Sequence, residues 1–166
     1  MRKFFIFCLL SIFICGCGPS AKQLADQQAR QADQQARQRF RDSVAAMKVC
    51  TQGSTYSEFR QKRLALETYY TANQSALADN KNAIDQLVLV MQATDGLWDL
   101  KNQIQSQFPY YHEDVSRSRE MAHDMVIIQK GSGLSHAEIK ADGGFPGNYV
   151  QHGLTLISSQ CDDFLK

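Results

Sequence analysis

The feature that most constrains the fold is the stretch from Ser20 to Cys50, which contains neither proline nor glycine. Within it the heptad ADQQARQ occurs twice in succession, over residues 25–31 and 32–38. Alanine, glutamine and arginine are strong helix formers, so we expect one long Ala/Gln-rich N-terminal helix. Its alanines recur at the 4-3-4 spacing of a coiled-coil seam: Ala25, Ala29, Ala32 and Ala36. The segment is therefore predicted to be a stalk or, alternatively, a homo-oligomer interface through residues 20–48.

The rest of the chain also follows helical spacing, and no stretch alternates with the period of two that strands require. Thr55 and Glu58 have the form of a capping box at the start of a second helix. Residues 73–82 weaken the pattern without a proline, which leaves a kink or a turn open. A third helix is predicted to end before Pro109 and to carry Ile84, Leu87, Val88, Met91, Leu97, Trp98, Ile104 and Phe108.

Two further helices complete the pattern. Asp114 can cap a fourth helix that ends at Lys130 and Gly131, with Val115, Ala122, Met125 and Ile128 facing inward. Residues 131–148 are glycine-rich and predict a loop with at most one short helix, which would start from a Ser135-x-x-Glu138 capping box. The last helix carries a stripe of Val150, Leu154, Ile157, Cys161 and Phe164. We therefore predict an all-α antiparallel bundle of about four to five helices.

The first residues have the form of an export signal. Met1, Arg2 and Lys3 precede about a dozen apolar residues, fewer than the roughly 20 that a membrane-spanning helix needs. The following Ile14-Cys15-Gly16-Cys17 resembles the lipobox of bacterial lipoproteins. This resemblance implies cleavage before Cys17 and lipidation, including palmitate, of Cys17. It also implies a bacterial envelope location, with the outer membrane favoured because Gly18 rather than aspartate follows, and a domain facing the periplasm.

These expectations divide the chain into a signal peptide at residues 1–16, a lipid-attached helical stalk at 17–48 and a helical bundle at 49–166. Loss of Arg2 and Lys3 from the 18 basic residues leaves 16 against 17 acidic ones, a balance that does not favour nucleic-acid binding. Residues 20–49 carry an excess of three positive charges, which suits an anionic membrane surface or an ordinary solvated helix face.

Beyond Cys17 the cleaved chain retains two cysteines, Cys50 and Cys161. An even pair in an exported protein predicts a disulfide, and two buried free thiols or an intermolecular bridge are the alternatives.

No motif for catalysis is present, so we predict no catalytic, cofactor or metal site and no enzyme activity. Glu120-x-x-His123 would form half of a di-metal site, but the sequence contains no second Glu-x-x-His. A metal or small-ligand carrier that uses Glu120, His123 and His112 remains an alternative. Tyr110 and Tyr111 predict either a contact surface or a solvent-facing turn, whereas Trp98 is predicted to pack in the core.

The layout of lipidated Cys17, Cys50 after the first helix, and Cys161 followed by Phe164 is similar to that of type II secretion pilotins. This resemblance implies a disulfide-bonded helical lipoprotein that binds a helical segment of a secretin. The expected function is therefore a non-catalytic binding or adaptor module for an envelope protein. The alternatives are a structural spacer that oligomerises through its N-terminal coiled coil, and the metal or small-ligand carrier.

Overall fold

The structure is a computed structural model, and it describes residues 20–107, 115–141 and 146–166. The described residues contain no strand, which confirms the predicted all-α bundle. They form α1 (Ala21–Cys50), α2 (Tyr56–Ala72), a short 3-10 helix (Ala78–Asn80), α3 (Lys81–Gln107), α4 (Val115–Ser132), α5 (His136–Ala141) and α6 (Gly147–Leu165). None of these helices has the length and apolar character that crossing a membrane requires. The predicted signal peptide and Cys17 lie outside the described residues.

The chain divides into two compact units between Ala32 and Asp33. In the first unit the described residues, 20–32, are all exposed, and Ser20 and Gln23 cap the start of α1 by reciprocal hydrogen bonds. The second unit contains the core. It includes the second half of α1, where Phe40, Val44 and Met47 are buried. Large apolar side chains of α1 therefore join the core from residue 40, within the segment expected to lead into the bundle.

Short-range signals define the other helix starts. Thr55 Oγ1 accepts from the Glu58 backbone N–H at 3.3 Å, and Glu58 Oε2 accepts from the Thr55 backbone N–H at 2.8 Å, so the predicted capping box of α2 is formed. Ser135 and Glu138 form the same arrangement before α5. Between α2 and α3 the chain makes turns and the 3-10 helix, which shows that these are separate helices.

Helix α3 lies at the centre of the bundle and packs against α2, α4 and α6, most extensively against α6. The close approach of α3 and α6 depends on Gly153, since a Cβ there would overlap with the Thr94 hydroxyl. The stripe predicted for α6 is confirmed, because Val150, Leu154, Ile157 and Cys161 are buried and Phe164 is half-buried.

One inward residue predicted for α4 is wrong. Ala122 is exposed, while Met121 and Met125 pack against the core and Ile128 is fully buried. These three larger side chains follow a 4-3 spacing that places them on one face, and Ala122 lies about 100° further around the helix.

The predicted disulfide is also corrected, because Cys50 and Cys161 are both buried free thiols. From Asp33 onward the Cα atoms of α1 seldom lie within 8 Å of another described helix. Long side chains bridge this gap: the rings of Phe40 and Phe164 lie 6.0 Å apart, and Lys48 pairs with Asp162. A disulfide needs Cα atoms about 4.4–6.8 Å apart, a spacing typical of helices that approach more closely.

Candidate functional site: a groove between three helices

A surface groove of about 450 Å³ runs between α3, α4 and α6, within the roughly 300–1,000 Å³ range of many ligand sites. Helix α3 contributes Gln86, Leu89 and Val90, at i, i+3 and i+4 spacing. Helix α4 contributes one face at i, i+3, i+4 and i+7 spacing, namely His123, Val126, Ile127 and Lys130. Gln160 of α6 completes the lining. We call this surface the α3/α4/α6 groove.

The apolar character of the groove follows from two runs of consecutive apolar residues, Leu87–Met91 and Met125–Ile128. One helix face cannot bury four or five consecutive residues, since each step turns the helix by about 100°. Leu87, Met91 and Ile128 are fully buried. The exposed members of these runs are Leu89, at 37%, and Val126, at 43%, and both line the groove.

Gly131 positions the end of α4 against α6. A Cβ at Gly131 would lie 3.0 Å from Leu156 Cδ1, tighter than most such contacts, so the absence of a side chain lets the two helices meet here. As a result, Lys130 in the last turn of α4 and Gln160 of α6 line the same groove.

The polar groups of the groove are few. Lys130 is exposed and has no ion-pair partner among the described residues. The carboxamide oxygen of Gln160, Oε1, is buried and accepts no hydrogen bond within the described part of the chain. His123 lies at the other end, with its Nδ1 3.7 Å from Asp124 Oδ1.

Asp124 lies next to the groove without lining it and packs against Gly96 of α3. Burial raises the pKa of Asp124 to about 6, and the charges of Glu120 and Asp95 act in the same direction, while His123 opposes them. This carboxyl group is therefore half-protonated near pH 6.

Of the three residues named for a metal or small ligand, the structure describes two. Glu120 and His123 are exposed on α4, and His112 lies outside the described residues, as do Tyr110 and Tyr111. Within residues 20–107, 115–141 and 146–166, no group of three or more His, Cys, Asp or Glu side chains is arranged to hold a metal ion.

Trp98 packs against the core as predicted, although it is half-buried. Its ring centroid lies 5.4 Å from that of Phe59 and 5.7 Å from that of Tyr56. It also borders a more polar hollow of about 380 Å³ beside Cys50 and Lys101.

The groove residues were not identified from the sequence. Leu89 and Val126 carried a usable signal, because each lies in an apolar run longer than one helix face can bury. Lys130 and Gln160 gave no such signal in the sequence, since exposed lysines and glutamines are common on helices. Their relation to the groove depends on how α4 and α6 pack, so it required the structure. Comparison of the chain with protein-family models, with curated proteins and with solved structures finds no match.

Proposed function

We propose that this protein is a membrane-anchored periplasmic lipoprotein that acts as a non-catalytic binding or adaptor module for an envelope protein. The observation that carries the proposal is the α3/α4/α6 groove, in which Leu89 and Val126 expose apolar surface beside each other. Exposed apolar side chains that gather in a concave surface are typical of interaction sites, whereas scattered ones are ordinary.

The anchor is proposed from the sequence of the first 17 residues. The lipobox-like Ile14-Cys15-Gly16-Cys17 supports lipidation of Cys17 and an outer-membrane location. The order of Cys17, Cys50 and Cys161 supports a pilotin-like role, although the two buried free thiols depart from the disulfide that this resemblance implies. Cys17→Ser should abolish palmitate incorporation, measured by metabolic labelling; continued labelling would move the anchor elsewhere.

Binding through the groove is tested by placing charge on its apolar wall. The double variant Leu89→Glu, Val126→Glu should release the protein from its complex in gently solubilised envelopes, measured by native electrophoresis. Leu64→Glu is the matched control, because Leu64 of α2 is 47% exposed and lies outside the groove. A complex that survives the double variant, or one that the control also disrupts, would contradict the proposed site.

A second candidate, the structural spacer, is favoured by one observation. Residues 20–32 are exposed on every face, they contain part of the ADQQARQ repeat, and Leu24 is 46% exposed. A spacer would self-associate through this segment. We expect the unlipidated chain to sediment as a monomer, in agreement with the adaptor. An oligomer that Ala29→Glu dissociates would instead support the spacer.

A further inference from the structure

Helix α4 is held against the bundle by few buried side chains. Of its side chains that the structure describes, residues 119–132, only Ile128 is buried, whereas α6 buries six residues. Besides the α3/α4/α6 groove, a second hollow of about 120 Å³ lies between α3 and α4, and α4 lines it with Glu120, Met121 and Asp124. Segments with few buried apolar contacts open at a lower free energy than the core. We therefore expect α4 to separate from α3 before α6 does.

Asp124 brings an ionisable group into the contact between α3 and α4. Its carboxyl group packs so closely on Gly96 of α3 that a Cβ at Gly96 would overlap with Asp124 Oδ2. The Asp124 side chain is 22% exposed, so most of its surface is withdrawn from water. Burial favours the neutral form of a carboxyl group, and it raises the pKa of Asp124 to about 6. An ionised Asp124 is therefore better solvated when α4 has moved away from α3.

The carboxylates around Asp124 act in the same direction as burial. On α3, the charge of Asp95 raises the pKa of Asp124, and Asp99 lines the same small hollow. On α4, Glu120 also raises this pKa, while His123, whose Nδ1 lies 3.7 Å from Asp124 Oδ1, opposes the rise. Because like charges repel, ionisation of Asp124 works against the closed contact.

The other helices do not bring a compensating cation to Asp124. On α2, Arg63 and Arg60 are paired with Asp95, at 2.9 and 4.0 Å. Helix α6, which also packs against α4, contains no lysine or arginine. In its first three turns the titratable side chains of α6 are Tyr149, whose pKa is raised by burial so that it stays neutral, and His152.

We propose that the contact between α3 and α4 is a pH-sensitive switch: α4 lies closed on α3 while Asp124 is protonated, and it separates from α3 more often when Asp124 is ionised. His123, Val126, Ile127 and Lys130 of α4 line the α3/α4/α6 groove. Separation of α4 therefore removes one wall of the groove. The switch operates whether or not a partner occupies the groove.

Amide hydrogen exchange at pH 5 and pH 7, corrected for the intrinsic exchange rate at each pH, measures how often each helix opens. We expect the α4 amides to be at least about tenfold less protected than the α6 amides at both pH values, because α4 opens without unfolding of the whole chain. From pH 5 to pH 7 the protection of α4 should fall about tenfold, because the pKa of Asp124 is 3.8 when α4 is open and about 6 when it is closed.

Asp124→Asn tests whether this carboxyl group operates the switch. The asparagine keeps the shape of the protonated side chain but does not ionise, so the protection of α4 should be the same at pH 5 and pH 7. Asp33→Asn, on exposed α1 surface, is the matched control and should keep the tenfold fall.

Three results would overturn the switch. Equal protection of the α4 and α6 amides at both pH values would mean that α4 opens only when the whole chain unfolds. A fall in α4 protection that persists in Asp124→Asn would assign the pH dependence to another group. Protection of α4 that does not fall in the parent protein would show that the contact does not respond to pH.

Discussion

At residue scale, the α3–α6 interface leaves no room for a side chain at position 153. Thr94 is fully buried and its hydroxyl donates to the Val90 carbonyl at 2.7 Å, so it cannot move away from a new Cβ without losing this bond. We expect Gly153→Ala to lower the free energy of unfolding by about 1–3 kcal/mol through overpacking. The measurement is urea denaturation followed by circular dichroism.

Gly147 provides the matched control in the same helix. A Cβ there would make an ordinary contact, 3.9 Å from Lys101 Cε. Gly147→Ala should be neutral or stabilise the protein by up to about 1 kcal/mol, because alanine is the better helix former. Equal destabilisation by both substitutions would contradict the packing explanation.

Asp124 gives the molecule a predicted pH dependence. Because burial raises its folded pKa from 3.8 to about 6, the unfolded chain ionises first as the pH rises. The stability associated with protonated Asp124 is full below pH 4 and is lost between about pH 4 and 6. Asp124→Asn should abolish this part of the pH dependence and raise the free energy of unfolding at pH 7 by about 1–3 kcal/mol.

The measurement is thermal or urea unfolding from pH 4 to pH 7 for both proteins. Asp33→Asn on the exposed side of α1 is the control, and it should leave the pH profile as in the parent. A parent protein whose stability rises over this interval, with no change in Asp124→Asn, would show that Asp124 does not hold the raised pKa.

At the scale of elements, α2 is joined to α3 by a buried ion pair. Arg63 donates to Asp95 at 2.9 Å and to Glu67 at 2.6 Å, and Arg63 and Asp95 are each 8% exposed. Arg63→Met should lower the free energy of unfolding by about 1–3 kcal/mol, because the buried Asp95 carboxylate loses its hydrogen bond and keeps only the ion pair with Arg60, at 4.0 Å.

The double variant Arg63→Met, Asp95→Leu should recover most of this loss, since an apolar pair of similar size replaces the ion pair. Lys62→Met, one residue away and exposed, is the control and should change stability by less than about 0.5 kcal/mol. If the double variant is as unstable as the single one, the loss of stability does not come from the buried Asp95 carboxylate.

Most helix positions were predictable because their signals are local. Thr55 with Glu58, and Ser135 with Glu138, form capping boxes within three residues of sequence, and the long α1 needed only its composition. The errors concerned which side chains face the core and how far apart the helices lie. Ala122 is exposed because the larger Met121, Met125 and Ile128 face the core. The pairing of Cys50 with Cys161 depended on the distance between α1 and α6.

For the whole molecule, whether Cys50 and Cys161 are free thiols tests how α1 packs against α6. In a chain that begins at Gly18, Cys50 and Cys161 are the only thiols. We expect no rapid reaction with a thiol reagent in the native protein, because both are buried and burial raises the pKa of Cys161 to about 12. Two thiols should react after unfolding in denaturant without reductant.

Cys50→Ser and Cys161→Ser should each react at one site under the same conditions. An unfolded chain in which no thiol reacts until a reductant is added would show a disulfide, and α1 would then lie closer to α6 than in the structure.

The candidate site was less predictable than the fold. Its two apolar residues lie in runs that are too long for one helix face to bury. However, Val126 follows Leu89 by 37 positions in the chain, and only the packing of α3 on α4 places them together. The sequence therefore indicates that some apolar side chains stay exposed, but it does not show that they lie in one groove.

The central position of α3 also affects how the molecule is made. Its largest interface is with α6, yet α3 ends at Gln107 and α6 begins at Gly147. A ribosome that adds about 5–20 residues per second needs roughly 2–8 s to synthesise the intervening residues. During that interval the side of α3 that α6 covers is open to chaperones. A nascent chain captured at this stage has no completed core, so a chaperone could hold it unfolded without first having to separate α3 from α6.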